Sequence, residues 1–123
     1  QLIFPVATKD KLVKKADGWA LDIYVFSPRP LDDLLIEPNM PKLTLVVKAK
    51  ECQLAINDKA YVAASQNRHE ATYKELPLLQ GWNKISIKIG ERDRNEFSGD
   101  FRCDNRNEFL SSLKVMFVNP EAK

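Results

Sequence analysis

One stretch constrains this chain more than any other. In Trp82-Asn83-Lys84-Ile85-Ser86-Ile87-Lys88-Ile89 an isoleucine falls at every second position, and Lys84, Ser86 and Lys88 fill the gaps between. An extended chain, whose side chains alternate between two faces, gathers Ile85, Ile87 and Ile89 on one side, whereas a helix would spread them around its circumference. The segment predicts a strand with one buried face. Such a strand needs neighbours.

The rest of the sequence supplies them. Gly18 to Ser27 reads GWALDIYVFS: Trp19, Leu21, Ile23 and Val25 share one face, and Ala20, Asp22, Tyr24 and Phe26 the other, which is unusually aromatic for a wholly solvated surface. Pro28, Pro30, Pro38 and Pro41 then remove backbone donors and fix φ, so Pro28 to Pro41 is expected to be a long loop with at most a helical turn at Leu31 to Ile36. Lys42 to Lys50 reads as a strand. Gln53 to Ile56 and Lys59 to Ala63 read as a hairpin with Leu54 and Ile56 inward; Asn57 and Asp58 form its tip because both tolerate positive φ. Gln66 to Glu70 is polar throughout and predicts an exposed loop. Gly90 to Glu96 is a charged loop, Phe97 to Cys103 a strand with Phe97, Gly99, Phe101 and Cys103 on one face, Asp104 to Leu110 a short turn or helical turn, and Leu113 to Val118 a closing strand. About eight short strands without a long amphipathic helix point to an all-β, antiparallel two-sheet sandwich or a barrel. The 123 residues fit a single domain spanning 1–123.

Composition removes several functions. Lys and Arg number 19 against 17 Asp and Glu, a net charge of +2, too small a bias to predict nucleic-acid binding. No apolar run approaches the roughly 18 residues of a membrane span, so no membrane partner is expected. With a single histidine, His69, most zinc and histidine-based catalysis is excluded. His69-Glu70 lacks the second His of a zincin helix, no serine sits in a Gly-x-Ser-x-Gly elbow, and Cys-x-x-Cys is missing. The expectation is a binding protein and not an enzyme. Cys52 and Cys103 permit one disulfide and require none. A chain opening at Gln1 reads as a processed product or a piece of something longer.

The texts Leu54-Ala55-Ile56-Asn57-Asp58-Lys59 and Leu79-Gln80-Gly81-Trp82-Asn83-Lys84-Ile85-Ser86-Ile87-Lys88, preceded by the strand from Trp19, resemble the galactose-binding-like jelly rolls. These include the sugar-binding domains of glycoside hydrolases and the carbohydrate-binding modules of secreted polysaccharide-degrading enzymes. The chain departs from that pattern at Asp58, where the family prefers Gly. The resemblance implies a jelly-roll sandwich that grips a polysaccharide or oligosaccharide through loops at one end or through a concave sheet face, beside an attached catalytic domain and outside the cell. Gly81, Trp82 and Asn83 read as structural: Gly81 turns the chain, Trp82 caps the core and Asn83 bonds local backbone.

Glycan binding calls for an aromatic face against the C–H side of a pyranose and convergent polar groups for its hydroxyls. Asn67, Arg68 and His69 in one loop, with Tyr61 before and Tyr73 after, are the candidate set, and Trp19 is a second candidate platform. The competing reading makes the loop merely solvated and all three rings packing residues. The mixed-charge run Arg92, Asp93, Arg94, Glu96, Asp100, Arg102, Asp104 and Arg106 has two readings, arginines that pair with an acidic polysaccharide or charges that neutralise one another. No cofactor is expected, although Asp93, Asn95, Glu96, Asp100 and Asp104 offer oxygens to a structural Ca²⁺ without Asp-x-Asp-x-Asp-Gly spacing. The function expected is non-catalytic carbohydrate binding. Its rivals are an accessory sandwich that packs on a catalytic domain without touching sugar, and a single-strand nucleic-acid binder using Lys84 and Lys88 beside aromatic rings.

Overall fold

The computed structural model describes residues 3–31, 42–103 and 107–120. Along the chain run β1 (Ile3–Thr8), β2 (Val13–Lys15), β3 (Gly18–Ser27), β4 (Leu43–Lys48), β5 (Cys52–Ile56), β6 (Lys59–Tyr61), β7 (Ser65–Gln66), β8 (Ala71–Tyr73), β9 (Gly81–Gly90), β10 (Ser98–Cys103), the short helix α1 (Asn107–Ser112) and β11 (Lys114–Met116). They form two antiparallel sheets. One has five strands in the order β1-β10-β4-β8-β7; the other has six, ordered β11-β3-β9-β5-β6 with β2 also paired to β3. The two pack face to face as a β-sandwich.

The alternation read in β9 sets the interior. Ile85, Ile87 and Ile89 are buried against Leu21, Ile23 and Val25 of β3 and Leu54 and Ile56 of β5, and the five-stranded sheet answers with Leu43, Leu45, Val47, Tyr73 and Phe101. Phe97, Gly99, Phe101 and Cys103 all face this core. Asn57 and Asp58 have φ of 51° and 68°, so the β5–β6 turn has both central residues left-handed, which matches the twist of a two-residue hairpin. Gly81, with φ of 97°, makes the turn into β9. At the far end of that strand Gly18 lies so close to the Ile89 carbonyl that a Cβ would collide with it.

Several expectations need correction. There are eleven strands among the described residues, more than the eight or so expected. β1 escaped notice because Pro5 interrupts it; the proline is tolerated on an edge strand whose register shifts between Pro5 and Ala7. The closing strand stops at Met116 and the second hairpin arm at Tyr61. Leu31 bridges Leu78, while the rest of the expected turn at Leu31 to Ile36 lies outside the described residues. Cys52 and Cys103 are unbridged thiols. Cys52 opens β5 beside Ile89, whereas Cys103 pairs with Leu43, on the opposite sheet and at the opposite end of the sandwich. Trp82 does not cap the core. It lies on the outward side of β9, paired with Phe26.

Asn83 is the buried polar exception, 1% exposed. Its amide nitrogen donates to the carbonyls of Leu79 (2.8 Å), Gly81 (3.1 Å) and Val25 (3.4 Å), and its oxygen accepts from Leu79 N–H (2.8 Å) and the Asn57 amide (2.9 Å). Asn57 in turn accepts from Lys84 N–H at 2.9 Å, so one amide pair ties the hairpin tip to the start of β9. Asn83→Ala strands these buried partners and is expected to cost about 3 kcal/mol, since each orphaned group costs roughly 1–3. Urea unfolding checks this, with the exposed Asn95→Ala as a control expected to change stability by less than about 0.5 kcal/mol.

Candidate functional site

The loop between β7 and β8 is organised from within. Asn67 Oδ1 accepts the N–H groups of His69 (2.7 Å) and Glu70 (2.9 Å), so this side chain serves the turn. The Gln66 amide latches the loop to the β4–β5 connection through the carbonyls of Ala49 (3.4 Å) and Lys50 (3.2 Å). Arg68 and His69 project exposed. The tyrosines expected to border them lie on different sheets, Tyr61 on β6 and Tyr73 on β8. Tyr73 is 2% exposed and offers no face to a ligand; its hydroxyl lies 3.4 Å from Cys52 Sγ. Tyr61 packs on the edge of the core with Lys59 Nζ 5.6 Å from its ring centroid. Its strand position, not a shared surface with Tyr73, accounts for its setting. Trp19 donates from Nε1 to the Glu91 carbonyl (3.2 Å) and is attended by Lys14 and Arg94, at 5.3 and 5.0 Å from the centroid.

Trp19 does line a cavity. A groove of about 700 Å³ opens at the sandwich end where β4 passes into β5, and Lys15, Trp19, Lys50, Gln53, Gln66 and Lys88 line it together with Asp17 and Glu51. Its rim is built by Asp93, whose carboxylate accepts Lys50 N–H (2.9 Å) through one oxygen and Glu51 and Gly90 N–H (3.0 Å each) through the other. Asp93 is thereby spent on backbone. Asp100 lies 3.3 Å from Arg102, Asp104 lies outside the described residues, and among the described residues no group of three or more His, Cys, Asp or Glu is assembled to hold a metal ion. The mixed-charge run is thus partly consumed by the fold, with Arg94 on Trp19 and Arg102 on Asp100.

The outer face of the six-stranded sheet gathers aromatic rings from separate strands. Register pairs put Phe26 opposite Trp82, Tyr24 opposite Lys84, Asp22 opposite Ser86 and Ala20 opposite Lys88, all pointing away from the core. On the flanks, Lys114 pairs with Phe26, Met116 with Tyr24 and Gln53 with Lys88. The Phe26 and Trp82 rings meet edge to face at 5.4 Å and 68°, and Lys114 Nζ is 5.6 Å from the Phe26 centroid. Tyr24, Phe26 and Trp82 are half-buried by one another and by these aliphatic stems. Such a face offers apolar ring surface with ammonium, hydroxyl, amide and carboxylate groups interleaved, on a rigid sheet. Tyr24 and Phe26 were visible as an odd aromatic pair in the sequence; that Trp82 joins them follows only from the β3–β9 register.

Comparison with models of known protein families, with curated proteins and with solved structures gives no match to this chain. The fold and this face define it: an antiparallel β-sandwich with an aromatic, lysine-bearing outer sheet. Among the described residues no helix is long and apolar enough to cross a membrane.

Burial dominates the protonation of Cys52, in the groove wall, and of Tyr73 beside it. It pushes the Tyr73 phenol well above its ordinary 10.0, helped by the hydrogen bond to Cys52, and it raises the Cys52 thiol above its ordinary 9.0 against the lowering effect of the Tyr73 bond. Cys52 therefore stays a protonated thiol near neutral pH, a packing atom and not a nucleophile. Both groups hold protons more tightly folded than unfolded, so their contribution to stability is full below pH 9 and falls as pH climbs toward the raised values. Denaturant titrations between neutrality and strong alkali should show this decline, and Tyr73→Phe should flatten its part above pH 10.

Proposed function

We propose that the protein is a non-catalytic carbohydrate-binding module, a secreted sandwich of the galactose-binding-like, jelly-roll kind. It holds a polysaccharide on the outer face of its six-stranded sheet and keeps an attached enzyme close to that polymer. The observation that carries this reading is the alignment of Tyr24, Phe26 and Trp82 on a sheet face turned away from the core. A pyranose presents a patch of C–H groups to a ring and hydroxyls at its margin, and Asp22 and Ser86, the next outward pair along the sheet from Tyr24 and Lys84, stand ready to meet those hydroxyls. Because strands and not loops carry the contact groups, little conformational entropy is lost on binding. Tethering then raises a modest affinity through effective concentration.

A second reading, the accessory sandwich packed against a catalytic domain, draws on the exposed run Met116, Phe117 and Val118 at 38%, 37% and 68%. Contiguous apolar surface of this sort suits a protein contact. Affinity electrophoresis through gels containing neutral and acidic polysaccharides separates the two. Retardation of the wild type by at least one polymer is expected, with Trp82→Ala and Tyr24→Ala each weakened about tenfold or more, equivalent to about 1.4 kcal/mol, and Arg68→Ala unchanged. Free migration in every gel gives the second reading the field.

A further inference from the structure

We propose that the glycan held by this face is anionic, bearing carboxylate or sulfate groups that pair with Lys84, Lys88 and Lys114. The inference rests on the reading of the face as a saccharide site and specifies what that site selects. The chain as a whole is nearly balanced, with 19 basic and 17 acidic residues. The outer face of the six-stranded sheet is not balanced. Its outward register positions hold Lys15, Lys84, Lys88 and Lys114 against Asp22. The outer face of the other sheet sets Asp100 against Arg102 at 3.3 Å, whereas Lys84, Lys88 and Lys114 form no ion pair among the described residues.

The spacing matters as much as the sign. Along β9 the outward residues run Trp82, Lys84, Ser86, Lys88, a ring followed by alternating cations and a hydroxyl, over about 20 Å at roughly 3.3 Å per residue. The row leads into the groove, where Lys50 adds a further ammonium group beside Lys15 and the carboxylates of Asp17 and Glu51. A polymer lying along it stacks one unit near Trp82 and Phe26 and sets the acid groups of later units against successive lysines. Lysine presents three rotatable donors on a flexible stem, so it accepts carboxylate or sulfate in varied orientations where arginine would impose a planar, bidentate fit. A single-stranded nucleic acid would also use rings and lysines; a glycan, richer in hydroxyls, makes the fuller use of Asp22 as an acceptor and of Ser86 beside it on this face.

Isothermal titration with four probes tests the inference: polygalacturonate, its fully methyl-esterified and hence neutral form, chondroitin sulfate, and oligothymidylate. At least one acidic glycan should bind at about 50 mM salt and weaken about tenfold or more by about 500 mM. If that glycan is the uronate polymer, the ester should bind about tenfold more weakly or not at all; if it is the sulfated one, both galacturonan forms should be weaker. Lys84→Gln combined with Lys88→Gln should lose about tenfold in affinity with an unchanged melting temperature, while Lys48→Gln on the opposite sheet should lose nothing. Binding of the ester as tight as that of the acidic glycan that binds best, or an unaltered affinity in the double variant, overturns the anionic assignment and leaves a glycan site standing. Oligothymidylate binding as tight as that of any glycan, or no binding by any probe together with free migration through every polysaccharide gel, overturns the glycan reading with it.

Discussion

Ten consecutive register pairs, from Gly18 opposite Gly90 to Ser27 opposite Gly81, join β3 to β9. Every other feature of the six-stranded sheet is placed by this ladder. Side chains alternate with a period of two, so a slip of one residue would send Ile85, Ile87 and Ile89 into water and Lys84, Ser86 and Lys88 into the core. The buried isoleucines thus fix the register, and the register fixes which groups meet on the outside. Trp82 sits beside Phe26 because Ile23 must sit beside Ile85. At one end Asn83 secures the ladder to the β5–β6 turn; at the other, the Asp93 carboxylate binds the β4–β5 connection to Gly90.

Strands with one buried face were legible in the sequence because burial writes a period into it. β3, β4, β5, β9 and β10 were readable for that reason, as was the left-handed tip at Asn57 and Asp58. β1 and β2 were not. Pro5 breaks the pattern of the first, and all three residues of the second, Val13, Lys14 and Lys15, are exposed, leaving no apolar signal to read. Asn83 as a backbone anchor was anticipated from its place after a turning glycine, and its network of contacts bears this out.

The surface was harder to read because alternation says which side a residue takes and not which neighbours it meets there. Tyr61 and Tyr73 flank one loop in sequence, yet the chain crosses from one sheet to the other between them. Trp82 lies more than fifty residues from Tyr24 and Phe26 in sequence and joins them through pairing alone, as about 5 Å between adjacent strands allows. Lys84 and Lys88 could be named from the sequence as cations beside rings, but Lys15 and Lys114 carried no such signal. Their concentration on one side becomes apparent only when the rows of β3, β9 and β11 are laid beside each other.

The margins of both sheets share a property with a bearing on life at high local density. β1 carries Pro5 and a register shift, β7 spans two residues, and β2, β6 and β11 span three each. None offers a long, regular row of unpaired amides and carbonyls onto which a second molecule could zip. Copies at high concentration would accordingly stay separate, none recruiting its neighbour into a continuous ribbon.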